Sequence, residues 1–292
     1  MFLEQLVNGI SVGIIYALVA VGYSLVFGVL HIINLCHGVI YTFGAFMVYI
    51  GIVQLELNPI LAILISCVLT GMLGLLVDRI GLKPLRDKGS DWTAAMISSI
   101  GCSYIITNCL QIAFGSQLIR FPVLLDFGSF QLFGATITSQ QIMIAIVAIV
   151  LLILLTLVIR GTRVGLAMRS VCQSETAAAI NGINVNNIIT FTFFLGAASA
   201  AIAGALNASY YEYIRPSMGN MMGLKAFSAA VLGGIGSLTG SVIGGVCIGV
   251  IEAVAVYFLG GTYQDLVAFF ILFLVLLIRP YGILGKKEST KV

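Results

Sequence analysis

The residues best suited to chemistry are polar side chains set singly into apolar surroundings. Asn34 and His37 are three positions apart and directly precede Gly38. On one helical face, an amide and a neutral imidazole offer donors and acceptors to a polar solute without holding an ion strongly. The same pair could instead be a hydrogen-bonded knot that fixes a break between two helices. Asn108 and Gln111 repeat the spacing, Asn207 lies beside a small-residue stripe at Gly204, and Glu252 is an acid in the middle of an apolar run. Polar groups at membrane depth are costly, so these positions are expected to face a pathway or a partner. Glu252, read as a lone carboxylate, has three open readings: protonated, paired across a subunit boundary, or lining a pathway. His31 is expected at the membrane boundary, and Glu212 and Arg215 in an outer loop. The chain offers no convincing pairing of nucleophile with base, no metal-ligand cluster and no GxxxxGK[ST] phosphate loop, which argues against an enzyme.

The glycines carry a second pattern. Gly236, Gly240 and Gly244 recur every fourth residue, as do Gly245 and Gly249, leaving one face of a span open to close helix approach. The run 233–240 lacks the G-x-G-x-x-G spacing of a dinucleotide loop. A glycine break after the short stretch 224–235 could expose the end of a half-helix near a pathway. Six cysteines, without C-x-x-C spacing, read as small packing residues.

A third constellation is the segment 165–182. Ser170 with Gln173 fits a capping box, the alanines favour helix, and Asn181-Gly182 supplies a left-handed stop, so the spacing predicts one short helix over 170–182. Small side chains at Ala178 and Ala179, between Glu175 and Gly182, would let another protein's groove approach the backbone, with Arg169 and Glu175 fixing orientation by charge. A plain amphipathic connector is the other reading.

The elements that must position these residues follow from composition. Of 292 residues, 60% are hydrophobic and 9% charged, with a mean hydropathy of +1.13; a soluble domain carries about 25% charge. In lipid every backbone polar group must be paired within its own segment, which requires helices here, since the alternation of a barrel is absent. Apolar runs place spans near 9–27, 38–55, 59–77, 93–114, 141–159, 188–210, 241–259 and 264–278, with the short 224–235 as a further candidate. The expected fold is an all-α polytopic transmembrane bundle of eight or nine crossings in one domain, 1–292. It has an outer loop (116–139), a coupling loop (160–187) and a tail (279–292). The outer loop suggests a hairpin turning at Asp126-Phe127-Gly128-Ser129. The start Met1-Phe2-Leu3-Glu4-Gln5 lacks the basic residues of a cleavable signal and is expected to be retained. Basic residues collect at 79–88, 160–169 and 279–291, which places these segments and the carboxyl terminus in the cytoplasm; Arg120, Arg215 and Lys225 fall on the other side.

Glu175, the following alanines and Gly182 resemble the EAA-type loop through which importer permeases of the ABC class dock on their ATPases. Several strings are similar to the branched-chain amino-acid permease family (LivH type). They include Ile33-Asn34-Leu35-Cys36-His37-Gly38, with Leu35 and Cys36 where the family has Phe and Ala, and Lys83-Pro84-Leu85-Arg86. Gly182-Ile183-Asn184-Val185, Lys225-Ala226-Phe227, the run 229–237 and Arg279-Pro280-Tyr281-Gly282-Ile283-Leu284-Gly285 complete the resemblance, which covers nearly the whole chain. It implies a permease subunit in a bacterial inner membrane, paired with a second homologous permease. Two cytoplasmic ATPases and an external solute-binding protein would complete the assembly. It further implies no cofactor in this chain, ATP and magnesium being bound by the ATPases, and no nucleic-acid partner. Branched-chain amino acids are the implied cargo, with urea, amides or other amino acids as alternatives. A gradient-driven carrier using Glu252 or Asp265 as its ion site is the reading from a different class.

Overall fold

The computed structural model describes residues 2–125, 128–132, 135–279 and 281–285. Helices dominate: α1 (Phe2–Leu30), α2 (His37–Tyr49), α3 (Pro59–Leu76), α4 (Lys83–Asp87), α5 (Trp92–Phe114), α6 (Ser139–Gly161), α7 (Arg163–Gln173), α8 (Glu175–Ile180), α9 (Val185–Tyr211), α10 (Met218–Gly233), α11 (Leu238–Leu259) and α12 (Gln264–Ile278). Wide π turns, 50–54 and 77–82, extend α2 and join α3 to α4. Eight of these helical stretches are long and apolar enough to cross a membrane, so the chain is a polytopic helical membrane protein.

The packing bears on how many times the chain crosses. α1 and α11 run antiparallel in close contact, because Gly245 and Gly249 leave no side chain between their backbones and those of Ala17 and Gly13. Phe2 therefore meets Tyr257 at one end (5.2 Å between rings), and Gly28 meets Gly236 at the other. α12 starts at the Phe2 end, and the turn after it donates from Ile283 and Leu284 N–H to the carbonyls of Leu232 and Gly233 (2.8 and 3.0 Å) at the Gly236 end. Phe2 and Leu284 thus lie at opposite ends of the bundle. Among the described residues an odd number of passes follows if α10, whose 16 residues rise about 24 Å, is added to the eight long spans.

Contacts also repeat under exchange of α1, α2, α3 and α5 for α9, α10, α11 and α12. α1 packs on α11 as α9 packs on α3, and α2 packs on α3 and α5 as α10 packs on α11 and α12. The matched helices run in opposite directions, giving an inverted repeat. Its centre is the crossing of α2 and α10, where a Cβ on Gly38 would overlap the backbone of Gly219 and Gly223.

The basic segments 79–88 and 160–169 and Arg279 all lie at the Gly236 end, in keeping with their common expected side. Lys225 departs from the expected outer position: α10 begins seven residues before it, and only 6% of Lys225 remains exposed. The outer loop also differs in detail. A hairpin does form, but between β2 (Ser129–Leu132) and β3 (Ala135–Thr138), while β1 (Ile119–Arg120) pairs with β4 (Tyr213–Ile214). Of the turn expected at 126–129, Asp126 and Phe127 lie outside the described residues.

Candidate functional site

Three arrangements gather the candidate residues. The first is the break between α1 and α2. α1 ends at Leu30, His31 takes a left-handed conformation (φ 53°), and the chain turns back into the bundle before α2 begins. Asn34 is not helical, so it shares no helix face with His37. Its side-chain oxygen accepts from Cys36 N–H (3.1 Å) and its carbonyl from His37 N–H (3.2 Å), the knot at the helix start. Asn34 and His37 are 2% and 1% exposed, and Asn34 Nδ2 and His37 Nε2 have no hydrogen-bond partner. The His37 ring fills the space left by Gly22 and meets the Tyr23 ring edge-on at 4.7 Å. Mirroring this break through the inverted repeat, segment 212–217 precedes α10 from the other end.

The second arrangement is a buried charge cluster. Glu252 is not a lone carboxylate. Lys225 Nζ is 3.1 Å from its Oε1, an ion-pair contact; Tyr16 OH and Gln264 Nε2 each donate to Oε2 at 2.8 Å. Lys225 also reaches Asp265 Oδ1 at 2.7 Å. Four helices, α1, α10, α11 and α12, meet at one ammonium. Neither Lys225 nor Tyr16 was a candidate site residue in the sequence, because a lysine seven residues after a Met-Gly-Asn start reads as a loop charge. The i, i+4 alignment of Lys225 with Ala229, which faces Gly244 of α11, would have been the signal.

The third is the α7–α8 elbow. Ser170 does not cap a helix: it lies inside α7 and donates to Leu166 O (3.0 Å). α7 starts instead at Thr162, whose Oγ1 accepts from Gly165 N–H, and stops at Ser174, whose Oγ accepts from Ala177 N–H to open α8 (3.1 and 3.2 Å). One expected helix is therefore two, since Ser174 competes successfully for the backbone. The expected stop does form: Ile183 N–H reaches Ala178 O and Gly182 N–H reaches Ala179 O, with Gly182 at φ 80°. Ala178 is buried and anchors the elbow, together with Met168 and Val171, against Leu25, Val26 and Val29 of α1 and Ile189 and Phe193 of α9. Arg169 turns back to donate to Ile159 O, closing the end of α6. Glu175, Ala179 and Gly182 remain exposed beside Ile180, which is 81% exposed.

The remaining candidates scatter. Asn108 is exposed on the outer flank of α5 and donates to Tyr104 O (2.7 Å); Gln111 is half-buried one turn on. Neither joins the clusters above. Asn207 is half-buried beside the Tyr41 hydroxyl. Gly240 and Gly244 do face α10, against Gly233 and Ala229, but Gly236 is in the preceding turn at φ 88° and is no part of that helical face. The end of α10 is not exposed, because the chain's own tail caps it. Among the described residues there is no group of three or more His, Cys, Asp or Glu side chains able to hold a metal ion.

Comparison with known proteins matches residues 5–276 to the family described as branched-chain amino acid transport system, permease component. The chain is 40% identical to the high-affinity branched-chain amino acid transport permease BraD of Pseudomonas aeruginosa, covering 100% of this chain and 98% of that protein. It is 38% identical to the corresponding permease LivH of Escherichia coli, with the same coverage. A probable branched-chain amino acid permease of Methanocaldococcus jannaschii is 28% identical over 92% of this chain and 88% of its own length. No solved structure matches the chain.

Proposed function

The chain belongs to the branched-chain amino acid transport permease family, and from that premise we propose that it conducts leucine, isoleucine or valine inward across a bacterial inner membrane as one subunit of an ABC importer. A second permease, two cytoplasmic ATPases binding ATP and magnesium, and an external binding protein complete the assembly. The single observation that carries this reading is the α7–α8 elbow. It is exposed on one side through Glu175, Ala179, Ile180 and Gly182, and rooted on the other in α1 and α9 by Met168, Val171 and Ala178. Such an element transmits displacement. A partner that binds one state of the elbow more tightly shifts the bundle by that difference in affinity and by nothing else.

The gathering of basic segments at the elbow's end supports a cytoplasmic location for that end and for the carboxyl terminus, with Phe2 at the outer face. The charge cluster weighs against a gradient-driven carrier. Lys225 already supplies a cation between Glu252 and Asp265, in the position that a coupling ion would need.

The test is uptake of labelled leucine into vesicles containing the chain with its ATPases, second permease and binding protein. ATP-dependent accumulation is expected, abolished by Glu175→Lys and Gly182→Trp while the protein remains inserted. Accumulation by the chain alone, under a proton or sodium gradient without nucleotide, would reject the assignment. Urea in place of leucine distinguishes the amide-transporting alternative.

A further inference from the structure

We propose that the small cavity at the start of α2 is the contracted form of a substrate subsite. In it the Asn34 amide binds the carboxylate of an α-amino acid, and an apolar wall takes the branched side chain. The inference rests on the transport function above and adds the residues that would set side-chain selectivity within the chain itself.

The cavity lies between the last turns of α1, the break and the end of α10. Its lining is Tyr23, Phe27, Ile33, Asn34, Phe227 and Ile235, closed by Ile32 and Ala230. Asn34 is the only amide there, and its two halves have different fates. The oxygen is used to start α2; the nitrogen, on a residue only 2% exposed, has no partner. An unmet buried donor is a standing penalty that a ligand oxygen would remove. The ligand is anionic because the site sits at the amino end of α2, a 13-residue helix whose dipole places positive potential there. No lysine or arginine lines the cavity, so a carboxylate would be held by neutral donors and could leave again. Apart from the Tyr23 hydroxyl, which lies against Gly223, the rest of the wall is hydrocarbon and aromatic ring, which suits an aliphatic side chain.

In this conformation the cavity is about 10 Å³, room for roughly one water; a leucine requires it to open. Two features permit that. Gly28 and Gly236, each next in sequence to a lining residue, face one another with no side chain between them, 3.6 Å from the Cβ position of one to the Cα of the other, and Gly234 and Gly236 give the end of α10 two positive-φ joints. The same turns of α1 that present Tyr23 and Phe27 to the cavity present Leu25, Val26 and Val29 to Met168 and Val171 of the elbow. Motion of α7 therefore moves one wall of the cavity.

The test uses the complete transporter in proteoliposomes, with ATP-dependent initial rates for leucine, valine, alanine and phenylalanine, each delivered at saturation by its binding protein. Ala230→Val narrows the wall and should lower leucine relative to alanine by about tenfold. Ile33→Ala, in the irregular segment between α1 and α2, should raise phenylalanine relative to leucine. Asn34→Asp, nearly the same size but without the amide donor, should depress all four rates while Asn34→Gln recovers part of them. Rates that fall in equal proportion for every amino acid, with ratios unchanged in both wall variants, would show a structural water as the only occupant and overturn the proposal. If the unmodified complex shows no ATP-dependent uptake, the transport assignment fails instead, and the two failures are distinguishable.

Discussion

The ammonium of Lys225 lies 3.1 Å from the Glu252 carboxylate, and both side chains are sealed inside the bundle, at 8% and 1% exposure. The pair joins α10 to α11, and Asp265 extends the link to α12. Attraction between buried charges offsets their desolvation only when both are present.

Lys225→Met leaves Glu252 buried without its cation and should destabilise the protein by about 3–5 kcal/mol. Adding Glu252→Gln to the same chain should recover much of the loss. Thermal unfolding of the three purified variants in detergent checks this; a double variant no more stable than Lys225→Met would show that the ion pair is not the source.

The α1–α11 contact should be intolerant of side chains. A Cβ on Gly249 would fall among Gly9 and Gly13 backbone atoms, whereas one on Gly101 meets nothing within 4 Å. Gly249→Val should cost about 1–3 kcal/mol or more, and Gly101→Ala should be neutral or slightly stabilising. Unfolding midpoints of the two single variants decide it.

The elbow depends on one hydroxyl. Ser174→Ala removes the cap of α8, worth about 1 kcal/mol, and should let α7 and α8 merge or fray. The expected outcome in the reconstituted complex is ATP hydrolysis that continues while leucine uptake falls several-fold. Ser174→Asp, which can still cap, should restore the ratio of solute moved to ATP consumed.

The tail should stabilise the end of α10. Ending the chain at Arg279 removes the Ile283 and Leu284 donors from the carbonyls of Leu232 and Gly233, each buried acceptor losing about 1–3 kcal/mol. Amide hydrogen exchange in the last turn of α10 should accelerate, with exchange in the α1–α11 contact unchanged.

By itself the sequence determined the class, the spans and the elbow's stop. A helix in lipid needs an unbroken apolar run, and a left-handed stop needs a residue such as Gly182; both are local requirements, written in consecutive residues. The long spans accordingly appear within a few residues of where the apolar runs place them, with α1 extended at both ends. Ser170 was misread for the same reason: a capping box is a local pattern, and two serines four residues apart, Ser170 and Ser174, compete for one break.

What the tertiary structure alone decided is everything that depends on depth and direction. Lys225 reads as a loop charge until α10 is seen to carry it between Tyr16 and Glu252. Gly236 shares a four-residue period with Gly240 and Gly244 until the turn takes it off the helix. The odd number of passes, the inverted repeat and the meeting of Gly38 with Gly219 arise from contacts between residues up to more than two hundred positions apart. No local periodicity encodes such pairings, because each helix satisfies its own backbone whatever neighbour it meets, and only close packing between small residues and buried charges selects the partner.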